Sequence, residues 1–121
     1  MRGLGELEAV VMDRLWSWRQ PATVRDVLDS LRDERELAYT TVMTVMDNLH
    51  RKGWLERERV GRAFVYRPVA SRQEHSARMM HEALEASRDA GGTLVHFLAE
   101  MSEEESAALR RALRRRSRRP R

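Results

Sequence analysis

The chain has 121 residues, of which 41% are hydrophobic and 35% are charged, with a net charge of +4. This length and composition predict one globular domain or two very small ones. The chain has no cysteine, which excludes disulfides, thiolate metal sites and cysteine nucleophiles. No apolar run approaches the roughly 18 residues of a membrane-spanning helix. The N-terminus also lacks the apolar core of a signal peptide, so we expect a cytoplasmic protein.

The positive charge is concentrated in two places. Residues 110–121 contain eight arginines and no acid, so the remainder of the chain carries a net negative charge. A smaller basic cluster lies between residues 51 and 67, where Glu56 and Glu58 oppose six cations: Arg51, Lys52, Arg57, Arg59, Arg62 and Arg67. Cations near a helix C-terminus are stabilised by the helix dipole. We expect the arginine tail to follow the last helix and to add nonspecific attraction for DNA.

The spacing of apolar residues predicts two helices in the first third of the chain. One stripe predicts a helix from residue 4 to residue 18: Leu4, Leu7, Val11, Leu15 and Trp18. Gln20-Pro21 should end this helix, because the residue before proline avoids the helical region. Thr23 is the predicted N-cap of the second helix. The buried face of that helix is predicted to be Val24, Val27, Leu28 and Leu31.

The stretch AYTTVMTVMDNLHRKGW, residues 38–54, predicts a third helix that starts near Tyr39 or Thr40 and ends at Gly53. Its apolar face is Val42, Val45, Met46 and Leu49. Its other face is Thr40, Thr41, Thr44, Asp47, Asn48 and Arg51. Threonine is a poor helix former, so hydroxyls beside an amide and cations favour a helix that reads the DNA major groove. The alternative is an ordinary amphipathic surface helix.

After Gly53 the pattern changes to the alternation of a β-hairpin. Leu55, Arg57 and Arg59 alternate with glutamates, Val60-Gly61-Arg62 can turn, and residues 63–67 are β-prone before Pro68. Three helices followed by a basic hairpin describe a winged helix-turn-helix. We therefore assign residues 1–69 to a DNA-binding domain of a mainly α-helical protein.

Residues 70–121 are predicted to form three further helices. Ser71 with Glu74 and Ser102 with Glu105 have the spacing of capping boxes. The first of these helices should reach about Asp89, Gly91-Gly92 should break the helical pattern, and Thr93 should cap the next helix. The last helix should carry Ala108, Leu109, Ala112 and Leu113 and end in the arginines that follow Leu113.

This C-terminal segment is too small to bury its apolar faces alone. Its apolar side chains need another surface, either the N-terminal domain or a second copy of the chain. A second copy is the expected partner, because a winged helix already has a complete core. Symmetric dimers are also the commonest oligomers and suit two half-sites one duplex turn apart. The residues predicted to dimerise are Met79, Met80, Ala83, Leu84, Leu94, Phe97, Leu98, Leu109 and Leu113.

The predicted DNA contacts lie on the third helix and the hairpin. Base or backbone contacts are expected from Thr40, Thr41, Thr44 and Asn48, and phosphate contacts from Arg51, Lys52 and Arg62. Thr40 could instead cap the helix, Thr44 and Asn48 could simply face solvent, and Arg62 could be a solvated turn cation. Asp47 would repel phosphate, so it should lie at the rim or pair with Arg51. Arg57 and Arg59 could serve only to protect a strand edge.

Neither catalysis nor metal binding is predicted. The four histidines do not have a metal-ligand spacing, and there is no Ser/His/Asp order and no glycine-rich phosphate loop. Glu103-Glu104-Glu105 is explained by a helix N-terminus. The aromatic residues near element ends are expected to be core anchors: Trp16, Trp18, Trp54, Phe64 and Tyr66. We therefore expect no cofactor and no enzymatic activity.

Several of these segments together resemble the BlaI/MecI family of bacterial repressors, which control β-lactamase and methicillin-resistance genes. The matching segments run from Leu4-Gly5-Glu6-Leu7-Glu8 through Thr23-Val24, Ala38-Tyr39-Thr40-Thr41-Val42-Met43-Thr44-Val45 and Lys52-Gly53 to Leu94-Val95-His96-Phe97 and Ser102 with Glu104. The resemblance covers nearly the whole chain. It implies a homodimer of winged helices that binds a palindromic operator and represses nearby promoters.

The resemblance also implies how repression ends. A membrane sensor that responds to β-lactams drives proteolysis in the dimerisation region, and by position the bond would be His96–Phe97. Family members known to be cut have Asn where this chain has His96. A branch of the family senses copper through C-terminal cysteines, a mechanism that the lack of cysteine excludes here. Two rival interpretations are a winged helix that binds only proteins and a nonspecific architectural DNA binder that relies on the arginine tail.

Overall fold

The computed structural model describes residues 4–118, in which six helices and one hairpin follow one another along the chain. The helices are α1 (Glu6–Trp18), α2 (Val24–Leu31), α3 (Tyr39–Arg51), α4 (Arg72–Ala86), α5 (Ala90–Ala99) and α6 (Glu103–Arg118). The strands β1 (Leu55–Val60) and β2 (Ala63–Pro68) lie between α3 and α4. This order confirms the predicted mainly α-helical fold with a winged helix-turn-helix.

Local signals set the ends of the first three helices. The Gly5 amide donates to the Glu8 carboxylate at 2.9 Å, at the start of α1. This helix ends at Trp18, as predicted, and its C-cap is Arg19, which is left-handed with φ 59°. Thr23 caps α2 as predicted, and its hydroxyl accepts from the Asp26 amide at 3.1 Å.

The third helix ends in a glycine-dependent turn. Gly53 has φ +83°, in the left-handed region that a residue with Cβ rarely adopts. The chain then folds back, and the Trp54 amide donates to the Leu49 carbonyl at 2.9 Å. The left-handed conformation of Gly53 and this hydrogen bond end α3 where the sequence predicts, and they direct the chain into β1.

One hydrophobic core joins α1, α2, α3 and the hairpin. Its fully or nearly fully buried members are Val11, Met12, Leu15, Ala22, Val24, Val27, Leu28, Leu31, Val42, Met46, Leu49, Trp54, Leu55 and Tyr66. The predicted stripes of α2 and α3 are therefore confirmed, apart from Val45, which is only partly buried against the core. Met12 is fully buried although the predicted α1 stripe did not include it.

The hairpin is antiparallel, with Leu55 opposite Pro68 and Val60 opposite Ala63. Gly61 has φ +64° in the turn. An isolated bridge ties β2 to the loop before α2, because Ala22 and Tyr66 exchange backbone hydrogen bonds of 2.9 and 2.8 Å. The wing is thus fixed at its base to the helical core.

Three predictions about the C-terminal helices were wrong. Gly91 and Gly92 lie inside the first turn of α5, and the cap is Asp89, whose carboxylate accepts from the Gly92 amide at 3.0 Å. Thr93 is therefore inside the helix, and α4 already ends at Ala86. The last helix does not stop at the arginines but continues to Arg118, because arginine is a good helix former. Residues 119–121 of the predicted tail lie outside the described residues.

Both predicted capping boxes are present. Ser71 and Glu74 exchange hydrogen bonds of 3.0 and 3.1 Å at the start of α4. Ser102 and Glu105 do the same at 2.9 and 3.1 Å before α6. The chain forms two compact units, the first extending to Met79 and the second beginning at Met80. The first unit is longer than the predicted domain of residues 1–69, because the start of α4 packs on α1 and on Trp54.

Candidate nucleic-acid interface

The side of α3 that faces away from the core carries the predicted hydroxyl groups. Thr40, Thr41 and Thr44 are exposed, and Asn48 is half-exposed. The N-cap of α3 is Ala38, so Thr40 does not cap the helix. Sequence reasoning did not single out Met43, which is 43% exposed on the same side. The exposed face therefore offers three hydroxyls and a polarizable apolar side chain to a ligand.

An acid at the end of this face binds two arginines. Asp47 accepts from Arg51 Nε at 3.1 Å and from Arg51 Nη2 at 2.5 Å. Its other oxygen accepts from Arg57 Nη1 at 2.9 Å. Hydrogen bonds from Arg51, and then from Arg57, hold the pKa of Asp47 below its ordinary value of 3.8. The expected pairing of Asp47 with Arg51 is confirmed, and the second pairing was not predicted.

Arg57 connects α3 to both strands of the wing. Its guanidinium also donates to the Tyr66 hydroxyl at 3.3 Å and lies 4.1 Å from the centre of the Phe64 ring. The hydrogen bond to Tyr66, with that to Asp47, raises the pKa of Arg57. Arg57 therefore has partners on α3 and β2 in addition to its place on β1, and these contacts join the wing to α3.

Lys52 also has an internal partner. Its ammonium group donates to both carboxylate oxygens of Glu8 at 2.8 Å. Partial burial raises the pKa of Glu8, but the hydrogen bonds from Lys52 and from the Gly5 amide outweigh burial, so the pKa lies below its ordinary 4.5. In the free protein Lys52 ties the end of α3 to α1. Its phosphate contact stays a prediction, as do those of Arg51 and Arg62.

The wing tip carries exposed cations. Arg62 is exposed in the turn after Gly61, and within residues 4–118 it has no carboxylate partner within 4.0 Å. Arg59 lies 5.6 Å from the centre of the Phe64 ring, and Arg67 pairs with Glu56 at 2.7 Å. Arg62 is consequently the wing cation best placed for an external anion.

A buried aromatic cluster lies where the start of α4 packs against Trp16 and Trp54. His75, at the start of α4, stacks on Trp54 with ring centres 4.2 Å apart and lies 5.6 Å from Trp16. Among the described residues, neither ring nitrogen of His75 nor the Trp54 Nε1 has a hydrogen-bond partner. Burial, with repulsion from Arg78, lowers the pKa of His75 below 6.5, while Glu74 opposes the shift. Sequence reasoning could not find this cluster, because its members are far apart along the chain.

Trp54 and Tyr66 are core anchors, as expected, while Trp16 and Trp18 are partly buried against the core and Phe64 is 38% exposed. Within residues 4–118 there is no group of three or more His, Asp or Glu that could hold a metal ion. In the same range no helix is long and apolar enough to cross a membrane.

Many of the apolar residues predicted to dimerise are at the surface of the single chain. Large members are 38–59% exposed: Met79, Met80, Leu94, Phe97, Leu98 and Leu113. Ala83 is exposed, and Leu84 and Leu109 are half-buried. His96 and Phe97 are exposed within α5, so a protease would need to unwind this helix to reach the bond between them.

The penicillinase repressor family model matches residues 4–115. The chain belongs to this family. It is 47% identical over 113 residues to the transcriptional regulator BlaI of Mycobacterium tuberculosis, in strains CDC 1551 and H37Rv, which covers 91% of this chain and 82% of the relative. The resemblance to BlaI/MecI repressors is thereby confirmed, and a member of this family is a DNA-binding transcriptional repressor.

Solved structures agree on the fold. The DNA-binding domain of the repressor BlaI matches with a TM-score of 0.52 and 25% identity, over 60% of this chain and 90% of that domain. A probable transcriptional regulator from Pseudomonas aeruginosa matches with a TM-score of 0.50 and 21% identity, over 94% of this chain and 79% of that protein. The second likeness concerns the fold alone.

Proposed function

We propose that this member of the penicillinase repressor family is a homodimer that binds a palindromic operator and blocks access of RNA polymerase to a promoter. The observation that carries the proposal is the exposed hydroxyl face of α3 beside a basic wing whose geometry is fixed by Arg57. The protein has no catalytic role in this proposal. Its partners are double-stranded DNA and a second copy of the chain.

In the proposed complex α3 enters the major groove. Thr40, Thr41, Thr44 and Asn48 contact base edges or the adjacent backbone, since threonine packs its methyl group on thymine and asparagine pairs with adenine. The cations Arg51, Lys52 and Arg62 contact phosphates and set the register. Because Arg51 and Lys52 have carboxylate partners in the free protein, binding exchanges those ion pairs for phosphate contacts.

Dimerisation would place two such helices on two half-sites. Its proposed surface is the exposed apolar side of α4, α5 and α6, and a second copy is the proposed partner because symmetric dimers are the commonest oligomers. Two engaged winged helices make twice the contacts of one. Loss of the dimer would therefore release the operator.

Release of the operator is proposed to follow cleavage at His96–Phe97 by a sensor-linked protease. The bond lies in α5, so cutting would separate Leu98 and α6 from the rest of the dimerisation region. A β-lactam signal and β-lactamase-type target genes are proposed from family membership. Digestion of the purified dimer by the cognate protease, followed by mass spectrometry, tests the position of the cut.

The test of function starts with duplexes selected from a random pool by the full-length protein. Fluorescence anisotropy then compares the best selected duplex with a scrambled one at 50 and 200 mM salt. We expect tighter binding of both as salt falls and a preference for the selected duplex at both concentrations. Binding without any sequence preference would support an architectural protein, and no binding would support a protein-interaction module. Either outcome would overturn the proposal.

A further inference from the structure

We infer that α6 carries a second DNA-binding surface, separate from the winged helix, that contacts the phosphate backbone outside the operator. The continuation of the helix to Arg118 is the first observation. A helical repeat of 3.6 residues places five arginines within an arc of about 140°. These residues are Arg110, Arg111, Arg114, Arg115 and Arg118, and all five are exposed.

These five arginines have no competing partner. Within the described part of the chain none of them has a carboxylate within 4.0 Å, whereas Arg51, Lys52 and Arg67 all do. The acids of α6 are confined to its first turn, at Glu103, Glu104 and Glu105. The last three turns of the helix are therefore an uncompensated cationic surface.

The arginine surface lies away from the apolar side of the same helix. By the same helical repeat, Leu109 and Leu113 lie outside the arc of the arginines, so a dimer that buries the leucines leaves the arginines in solvent. The arginines extend over about 12 Å along the helix, enough to approach two successive phosphates of one strand. Arginine suits such contacts because its planar fork can donate two hydrogen bonds to one phosphate.

The experiment uses a quadruple variant of the full-length protein in which Arg111, Arg114, Arg115 and Arg118 become glutamine. Glutamine preserves helix propensity. The matched control replaces the same four residues by lysine and so keeps the charge. The probes are a selected 20-bp duplex and the same sequence with 15 bp of flanking DNA on each side. Sedimentation velocity measures the dimer in every variant.

We expect the wild type and the lysine variant to bind the longer duplex more tightly than the short one. The glutamine variant should lose this gain, and the slope of log K against log salt should fall by about 3 to 4 if a dimer loses four phosphate contacts. Equal behaviour of the wild type and the glutamine variant, or loss of the dimer in that variant, would overturn the inference. A defect of the winged helix would instead remove the preference for the selected sequence and leave the effect of duplex length.

A second proposal has an independent basis, the ion pairs of Asp47, and rests on the proposed function. We propose that Asp47 determines specificity by restraining Arg51 and Arg57. Without it, the guanidinium of Arg51 would have no carboxylate partner, and that of Arg57 would keep only its contacts with Tyr66 and Phe64. With it, Arg51 is aligned along the helix and the wing is held to α3 through Arg57, whose side chain is only 26% exposed.

This restraint acts differently on the two kinds of DNA complex. Nonspecific binding depends on net positive charge, which Asp47 lowers by one unit in each protomer. Sequence-specific binding depends also on the placement of the recognition helix and the wing, which Asp47 and Arg57 fix. Asp47→Asn should therefore strengthen nonspecific binding while loosening the geometry that specific contacts require.

The test measures the ratio of affinities for selected and scrambled duplexes in Asp47→Asn. The control is Glu36→Gln, which makes the same charge change at an exposed acid with no ion pair in the described part of the chain. We expect the ratio to fall by about tenfold or more in Asp47→Asn and to stay unchanged in Glu36→Gln. Arg57→Gln should lower the ratio too, and the double variant should be no worse than either single variant.

Equal ratios in Asp47→Asn and Glu36→Gln would mean that Asp47 acts only through its charge, and the proposal would fail. Additive effects of Asp47→Asn and Arg57→Gln would also contradict the link between them. Failure of the proposed function has a different signature, since the wild type itself would then show no preference for the selected duplex.

Discussion

The two compact units differ in where their apolar side chains lie. In the first unit, large residues such as Leu49, Trp54 and Tyr66 are at most 2% exposed. In the described residues of the second unit, 80–118, no side chain is buried, and Met80, Val95 and Leu113 are 55–66% exposed. The first unit thus has a complete core within one chain. The second exposes apolar side chains that a second copy would cover in the proposed dimer, so its stability should depend on protein concentration.

The largest effect on assembly is expected from Leu98→Ser, which changes the second unit. Leu98 is 46% exposed in the single chain, so a dimer gains only about half of the roughly 1.5–3 kcal/mol that complete burial of a leucine contributes. Because a symmetric dimer loses two leucines, it should weaken by roughly 1.5–3 kcal/mol. Sedimentation equilibrium measures the dissociation constant, with Arg88→Ser as a surface control. An unchanged dimer would place the interface elsewhere and remove the contrast between the units.

Leu49→Ala tests the first unit, whose core is complete within one chain. Leu49 is fully buried, so truncation should lower the free energy of unfolding by about 2–5 kcal/mol. Since its contacts are within one chain, the change should not depend on protein concentration, unlike that of Leu98→Ser. Urea denaturation at two concentrations makes the comparison. A concentration-dependent loss would show that the first unit also depends on its partner.

Thr44→Ala tests the exposed face of α3, whereas Leu49→Ala tests its buried face. The exposed hydroxyl should be dispensable for stability, with a change within about 0.5 kcal/mol. If Thr44 makes a good base contact, discrimination at one or two base pairs should fall by roughly 1–3 kcal/mol. Anisotropy with single-base variants of the selected duplex measures this loss. A destabilised protein with unchanged discrimination would mean that α3 faces the other way.

His75 makes the first unit sensitive to pH. Its folded-state pKa is lowered, so the unfolded chain binds more protons below pH 6.5, and stability should fall as pH decreases from 6.5 towards the folded pKa. The slope should reach at most about 1.4 kcal/mol per pH unit. Urea unfolding between pH 7 and pH 5 measures it. His75→Phe, which keeps an aromatic ring against Trp54, should remove most of this slope. An equal slope in both proteins would assign it to other groups.

Arg51→Ala should have the smallest effect. Phosphate contacts carry no sequence information, so all duplexes should bind more weakly to a similar extent, and the salt slope should fall by about 1 per protomer. Anisotropy titrations against salt give both quantities. Folding should change little, because Arg51 is 72% exposed and Asp47 keeps its bond to Arg57. A selective loss for one sequence would indicate a base contact instead.

Much of the first unit could be predicted because its signals are local. The apolar spacing of residues 42–49, the Thr23 cap and the turn at Gly61 each depend on neighbours a few residues away. What was missed depends on distant partners. Met12 is buried by packing rather than by its position in a stripe, and the cluster of Trp16, Trp54 and His75 joins three segments of the chain. The link from Asp47 through Arg57 to Phe64 likewise needs the register of the hairpin.

In the second unit some local signals were predicted correctly, but the ends of the helices were predicted less well. Its capping boxes were predicted correctly, because Ser71–Glu74 and Ser102–Glu105 are local pairs. The prediction for the junction before α5 was wrong, because Asp89 caps this helix and Thr93 lies inside it. The predicted end of α6 was wrong because the intrinsic helix preference of arginine continues the helix to Arg118. The proposed DNA-binding residues stay predictions, since contacts with a ligand are not encoded in the fold of the free chain.

Within residues 4–118 His75 is the last buried side chain, and its position has a consequence for turnover of the protein. A fragment that ends at His96 would retain every buried residue of the first unit, and so should survive as a folded monomer. Such a remnant would still carry α3 and the wing while lacking most of the pairing surface. Recovery of repression after the signal ends would then depend on new synthesis and on how fast the cell removes these remnants, which would compete weakly for half-sites in the meantime.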